Sequence, residues 1–433
     1  MIYLIYDIML FLATPLIFAY SMIRSRRKGR RREGTSERLG MYDARLVAAL
    51  NEQKTVWVHA VSVGETMAVK PLLKAIKESI PGIRIVLSNV TETGHSIAEK
   101  MAEVDHCIYF PFDYHFTVKR ALEQVRPALV VIVETEIWPN FLRVAREMGI
   151  PAVLVNGRIS DRSYGRYLRL KFFFRPVLAN LAAFCMQTAE DAHRIVAIGA
   201  DPARVHVTRN LKYDIPVTPP STEKKRALRE GYKIPDGIMI VTAGSTHAEE
   251  EETVLSAYRH LLASERECFL ILAPRHPERT GQVSEILRSS GLPFTLRSML
   301  DSRDGPFRAG EVLLVDAVGE MMGFYAISDL VFVGGSFVPI GGHNILEPAS
   351  LGVPVLFGPH MHNFRESAAL VLAYGGGFQV KDGEELTAVL QLLLDDPEKR
   401  LATGQNGMRL LLENSGATKM QMEVIRKLVK DDG

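Results

Sequence analysis

Residues 55–65 read TVWVHAVSVGE, a short apolar run that ends in serine, glycine and an acid. The run through Val61 has the length and polarity of a strand buried on both faces. Gly64 permits a tight turn, and residues 66–79 continue with helical character. The unit then recurs. Residues 83–88 (IRIVLS), 128–134 (ALVVIVE), 152–156 (AVLVN) and 183–187 (AFCMQ) are further strand candidates, and 94–103 is a further helix. Continuous apolar strands alternating with helices predict a parallel sheet covered on both faces.

Residues 214–225 (DIPVTPPSTEKK) break this rhythm with three prolines, which suit neither a helix nor a central strand. Beyond them the alternation restarts at 238–243, 268–273, 311–315, 330–333 and 354–357. A chain of 433 residues also exceeds what one core usually organises. The expectation is α/β: two doubly wound, Rossmann-like domains at 33–213 and 226–433, joined by the linker 214–225. The last helix is free to pack back on the first domain. Ligands of such folds bind beyond the carboxyl ends of the strands, here in a cleft between the domains.

The net charge of +2 conceals an asymmetry. Residues 24–32 (RSRRKGRRR) carry seven basic side chains, and Asp7 is the only charge before them. Residues 1–32 therefore total +6 and leave −4 for the rest. A mildly acidic body argues against nucleic-acid binding. Residues 1–23 are almost wholly apolar, long enough to span a bilayer, and their positive charges follow rather than precede them. This predicts a membrane anchor at 1–32, with everything after Arg24 cytoplasmic. The alternative is a helix lying in the interface, attracted to anionic lipids by the basic cluster. The three cysteines, Cys107, Cys185 and Cys268, match no zinc or redox spacing, and the last two read as core.

Five polar segments sit at predicted strand ends. Ser62, Gly64 and Glu65 place a carboxylate at a helix start, as a general base or as a partner of the helix dipole. Glu134 and Glu136, in ETEIWPN (134–140), can orient hydroxyls of a polar acceptor or cap the helix after Pro139. Gly244, Ser245 and His247 precede four glutamates at 249–252. They let backbone approach phosphate; the consecutive acids point around a helix and do not suggest a metal. Pro274 and Arg275 end a strand, with Arg275 able to grip a phosphate or carboxylate. The densest segment is GGSFVPIGGHNILEP (334–348). Its Gly341 and Gly342 permit close backbone approach, the helix start offers N–H donors, and Glu347 shares a face with Asn344. That pair reads as a ribose contact or as a capping box.

These segments together resemble the Kdo transferases, which move 3-deoxy-D-manno-octulosonic acid from CMP-Kdo onto the lipid A precursor. The resemblance covers essentially the whole chain. It rests on WVHAVSVGE (57–65), ETEIWPN (134–140), QTAEDAHR (187–194), NLKYD (210–214), AGSTH (243–247), APRHPER (273–279), VGEMMGFY (318–325) and GGSFVPIGGHNILEP (334–348). It implies the GT-B glycosyltransferase fold, with acceptor in the first domain and donor nucleotide in the second. It implies inversion without a metal or other cofactor, and a place at the bacterial inner membrane in lipopolysaccharide synthesis. The family's catalytic base falls on Glu65. Its CMP contacts fall on Pro274, Arg275, Val318, Gly319, Glu320, Asn344, Ile345, Leu346 and Glu347. Further donor or acceptor contacts are expected at Ser62, Gly64, Glu134, Glu136, Lys212, Gly244, Ser245, His247, Gly342 and His343. Lys212 and His247 are candidates for the donor sugar's carboxylate. Arg209 departs from the pattern, since the family often has glycine there. Two rivals remain: a GT-B enzyme or epimerase using a UDP-sugar, told apart by the nucleotide released, and a non-catalytic module binding anionic glycolipid, against which Glu65 argues.

Overall fold

The computed structural model describes residues 2–28 and 34–430, with backbone alone for 16–28, 51 and 430. The chain divides into two compact units. The first comprises residues 1–214 with 415–433, and the second residues 215–414.

The first unit is built on a seven-stranded sheet. Its strands are β1 (Thr55–His59), β2 (Arg84–Asn89), β3 (His106–Tyr109), β4 (Leu129–Val133), β5 (Ala152–Gly157), β6 (Ala183–Met186) and β7 (Val205–Val207), in the order β3-β2-β1-β4-β5-β6-β7. All neighbours are parallel, and every residue of β1 and β4 is buried. Helices cover both faces, which is why these strands read as unbroken apolar runs rather than alternating ones.

The second unit repeats the plan with β8 (Met239–Thr246), β9 (Cys268–Pro274), β10 (Phe294–Leu296), β11 (Val312–Leu314), β12 (Leu330–Val333), β13 (Val355–Phe357) and β14 (Gly377–Gln379). The order is β10-β11-β9-β8-β12-β13-β14, again parallel throughout. In both sheets the order reverses beside the first strand, between β1 and β4 and between β8 and β12. Open α/β sheets bind ligands at such switch points.

Two details differ from expectation. The segment 214–225 is not wholly a linker, because the helix Thr222–Gly231 begins within it. Pro219 and Pro220 end the extended stretch, and Ser221 then caps the helix by accepting the Lys224 N–H. Secondly, the spanning reading of residues 1–23 is not upheld: among the described residues no helix is long and apolar enough to cross a membrane. The helix Ile2–Lys28 begins on the surface of the first unit. Tyr3 donates to Pro176 O and accepts from Asn180, Tyr6 donates to Asp113, and Asp7 accepts from Asn140. One face is thus polar and engaged. Leu4, Ile5, Ile8, Met9, Phe11 and Leu12 lie exposed. Residues 29–32 of the basic cluster lie outside the described residues.

The last helix, Ala417–Lys430, belongs to the first unit, where Ala417, Met422 and Ile425 join a core with Val69, Leu72 and Ile76. Its start is held by Asp214, whose carboxylate accepts the N–H groups of Gly416, Ala417 and Thr418.

Candidate functional site

At the end of β1, Ser62 caps the helix Val63–Ser79 and Glu65 stands in its first turn. Ser62 Oγ donates to Glu65 Oε1 at 2.8 Å, and Val61 N–H donates to Oε2 at 2.8 Å. With the Glu65 N–H donating to Ser62 Oγ, this resembles a capping box whose return bond comes from the residue before the cap. It also fixes the carboxylate of a half-buried acid while leaving each oxygen a lone pair, so the capping and catalytic readings are compatible.

Across the switch point, β4 is followed by Glu134, whose φ of 59° lies in the left-handed region. Lys212 Nζ stands 4.0 Å from Glu134 Oε1. Two residues on, burial and then the charge of Glu65 push the Glu136 carboxyl up to about 7. A carboxyl whose proton affinity is raised can donate a proton or hydrogen bond beside a second acid that accepts one. Lys212 is placed by a relay that explains two motifs. Asn210 Oδ1 accepts the Lys212 N–H, Asn210 Nδ2 donates to Gln187, Gln187 donates to Asn156 O, and Asn156 Oδ1 accepts the Leu211 N–H. His59, by contrast, is wholly buried against Phe110 and bonded to Ser88, and burial lowers it to about 3. It is a neutral core residue.

In the second unit the loop after β12 is held by a buried carboxylate. The N–H groups of Gly335, Ser336 and Phe337 all donate to the carboxylate of Glu250, at 2.7, 2.9 and 2.8 Å, as does that of His247 at 2.9 Å. Glu250 is 0% exposed, and a buried carboxylate needs this many donors. Its neighbour Glu251 pairs with Arg279 and Thr246. Gly244 is small for packing, since a Cβ there would meet Tyr325 Oη at 2.4 Å. Gly341 and Gly342 have φ of 111° and 77° and pack against Asn363 and Met361. These glycines shape the loop, and the Gly342 N–H donates to Gly335 O at 2.7 Å.

Beyond that loop the structure gathers polar side chains at the ends of β8, β9 and β12. His247 and His343 stack with Nε2 atoms 2.9 Å apart, and the His276 ring lies 5.8 Å from that of His247. Burial, then His247, Arg275 and His276, hold His343 down to about 4. Pro274 is buried while Arg275 is exposed. Asn344 donates to Glu347 Oε1 at 3.1 Å, and its own oxygen accepts the Leu346 N–H. Burial raises the Glu347 carboxyl. Ile345 and Leu346 point inward as core. Glu320 is bonded to Arg297 at 2.9 Å and to Tyr232 at 3.3 Å, beside the exposed Val318 and Gly319. Among the described residues no three His, Cys, Asp or Glu side chains are grouped to hold a metal ion.

Sequence reasoning passed over Glu250, Arg279, Arg297 and Tyr232, which hold these loops. Glu250 alone left a signal, as an acid at the start of a helix following a strand-end glycine.

The model of the family described as 3-deoxy-D-manno-octulosonic-acid transferase (kdotransferase) matches residues 33–215, the stretch that carries Glu65, Glu134, Glu136 and Lys212. The chain is 32% identical over 423 residues to the 3-deoxy-D-manno-octulosonic acid transferase of Haemophilus influenzae, covering 97% of each chain. The chain belongs to the Kdo transferase family. It is a glycosyltransferase. The Bordetella pertussis member is 31% identical, over 95% of this chain and 96% of that one. Among solved structures, the UDP-GlcNAc 2-epimerase of Neisseria meningitidis shares the fold at a TM-score of 0.55 and 15% identity, over 86% of this chain and all of that one. For a Kdo transferase this fold is as expected: two parallel-sheet α/β domains of the GT-B kind.

Proposed function

We propose that this Kdo transferase moves Kdo from CMP-Kdo onto the lipid A precursor with inversion, without a metal, and with Glu65 as general base. The observation that carries the reading is Glu65, oriented at a switch point by Val61 N–H and Ser62 Oγ beside the weakly acidic Glu136. The acceptor hydroxyl forms a bond to the anomeric carbon as that carbon's bond to the CMP phosphate breaks. The proton passes to Glu65, and CMP leaves with the electron pair from the opposite face. Glu136, protonated below about 7, donates a hydrogen bond to the reacting oxygens. Lys212 or His247 receives the donor carboxylate. Pro274, Arg275, Val318 to Glu320 and Asn344 to Glu347 hold CMP, with Arg275 countering its phosphate charge.

The same reading places the enzyme at the cytoplasmic face of the inner membrane, by a helix lying in the interface. Supporting it are the exposed Leu4, Ile8, Phe11 and Leu12 on the N-terminal helix, with Phe172 exposed beside Phe173, whose ring contacts Tyr6. Apolar side chains on one face and basic residues at hand favour an anionic lipid surface.

Purified protein is to be incubated with CMP-Kdo and a tetra-acylated lipid A precursor, without added metal and with Glu65→Gln in parallel. Lipid products are read by mass spectrometry. Kdo addition by the wild type alone supports donor, acceptor and base. No transfer by folded wild type rejects the substrates, and transfer by both proteins rejects the base.

A further inference from the structure

The helix Pro139–Glu147 follows directly on the loop that carries Glu136, yet its own cap residue, Trp138, supplies no side-chain bond. Its first turn is held from elsewhere. Asp113, 4% exposed, accepts the N–H groups of Asn140 and Phe141 at 3.0 and 2.8 Å. The same carboxylate accepts Tyr6 Oη from the N-terminal helix at 2.9 Å. Asn140 Nδ2 in turn donates to Asp7 Oδ1 at 2.6 Å and to Asp113 O at 2.7 Å.

Two polar side chains of the N-terminal helix therefore converge on the two residues that set the start of helix 139–147. The arrangement is costly in itself. It gathers two acids about one residue, Asn140, and leaves the buried Asn140 Oδ1 without a partner. Simple packing of a helix on a domain would not require that. The opposite face of the same helix is the exposed apolar row of Leu4, Ile8, Phe11 and Leu12.

We propose that Tyr6, Asp7, Asp113 and Asn140 form a latch through which seating of the N-terminal helix on lipid fixes the first turn of helix 139–147, and with it the loop bearing Glu136. Asp113 and Asn140 are positioning residues in this scheme; neither touches substrate. The inference rests on the reading above that the outward face of the helix meets a lipid surface.

The test is hydrogen exchange on the full chain, in detergent and on vesicles of phosphatidylethanolamine and phosphatidylglycerol. Wild type is compared with Tyr6→Phe and with Tyr6→Phe/Asp7→Ala. Amides of 134–142 are expected to exchange about tenfold faster in the double variant, the effect of losing roughly one buried hydrogen bond's stabilisation. They are also expected to exchange more slowly in wild type on vesicles than in detergent. On vesicle-borne acceptor, the variants should lose kcat while the donor KM holds. Faster exchange confined to residues 2–15 overturns the latch, and equal protection of 134–142 with and without vesicles overturns its coupling to lipid. The single variant removes only a hydroxyl, and β4 amides report any general unfolding. If wild type transfers no Kdo, the proposed function fails, while the exchange data still decide the latch.

Discussion

The imidazoles of His247 and His343 lie parallel, 4° between planes, with Nε2 facing Nε2 at 2.9 Å. Such a contact needs one ring nitrogen to donate and the other to accept, so at least one ring must be neutral. The low proton affinity of His343, about 4, meets that need at neutral pH.

Stability should follow from this pair. The unfolded chain takes up a proton at His343 near the ordinary value of about 6.5, and the folded chain resists until about 4. The stabilisation is therefore full above the unfolded value and lost as pH falls through that window. Thermal melts between pH 7 and 4.5 should show a fall that is shallower in His343→Gln, by about 2–4 °C for each kcal/mol.

Glu250→Gln tests the loop behind the pair. Each Glu250 oxygen accepts two backbone N–H groups. An amide in either orientation faces two of them with a donor. Urea unfolding of the full chain should show a loss of about 2–4 kcal/mol.

The pH dependence of transfer should report Glu136. Its neutral form prevails below about 7, so the rate should decline above that pH. Glu136→Gln keeps a neutral donor and should flatten the decline while staying within about tenfold of wild type. Glu136→Ala should lose about a hundredfold. A decline that persists unchanged in the glutamine variant would reject this role.

Arg209 has a φ of 64°, a conformation that glycine adopts without strain. Its guanidinium donates to Ser415 O, where the chain returns to the first unit. Arg209→Gly should relieve about 1 kcal/mol of strain and lose about as much in the bond, for little net change. Arg209→Ala keeps the strain, loses the bond, and should unfold at lower denaturant.

Lipid binding should depend on Phe11 and Leu12, which are 73% and 70% exposed. Phe11→Asp/Leu12→Asp should leave the melting temperature unchanged and weaken sedimentation with anionic vesicles by at least about tenfold.

Ten of the strands were legible in the sequence, and the four that were not, β3, β7, β10 and β14, are the four sheet edges. An edge strand has one neighbour and a partly wet surface. His106, His206 and Thr295 therefore interrupt the apolar run on which strand reading relies. Glu65 was legible because its neighbours in sequence, Val61 and Ser62, are also its partners. Glu250 was not, since three of its four donors lie 85 to 87 residues away. The N-terminal helix misled for a related reason: Tyr3, Tyr6 and Asp7 look like blemishes in an apolar segment until Asn180, Asp113 and Asn140 are seen beside them.

The return of the final helix to the first unit imposes an order on synthesis. A ribosome finishes residues 215–414 as one uninterrupted stretch, so the second unit can close as soon as it emerges. The first unit, begun earlier, still lacks the helix that buries Val69, Leu72 and Ile76. The half that is translated first is thus completed last, against the usual vectorial sequence. Chains truncated after Asn414 and released should be cut by protease in the first unit and spared in the second.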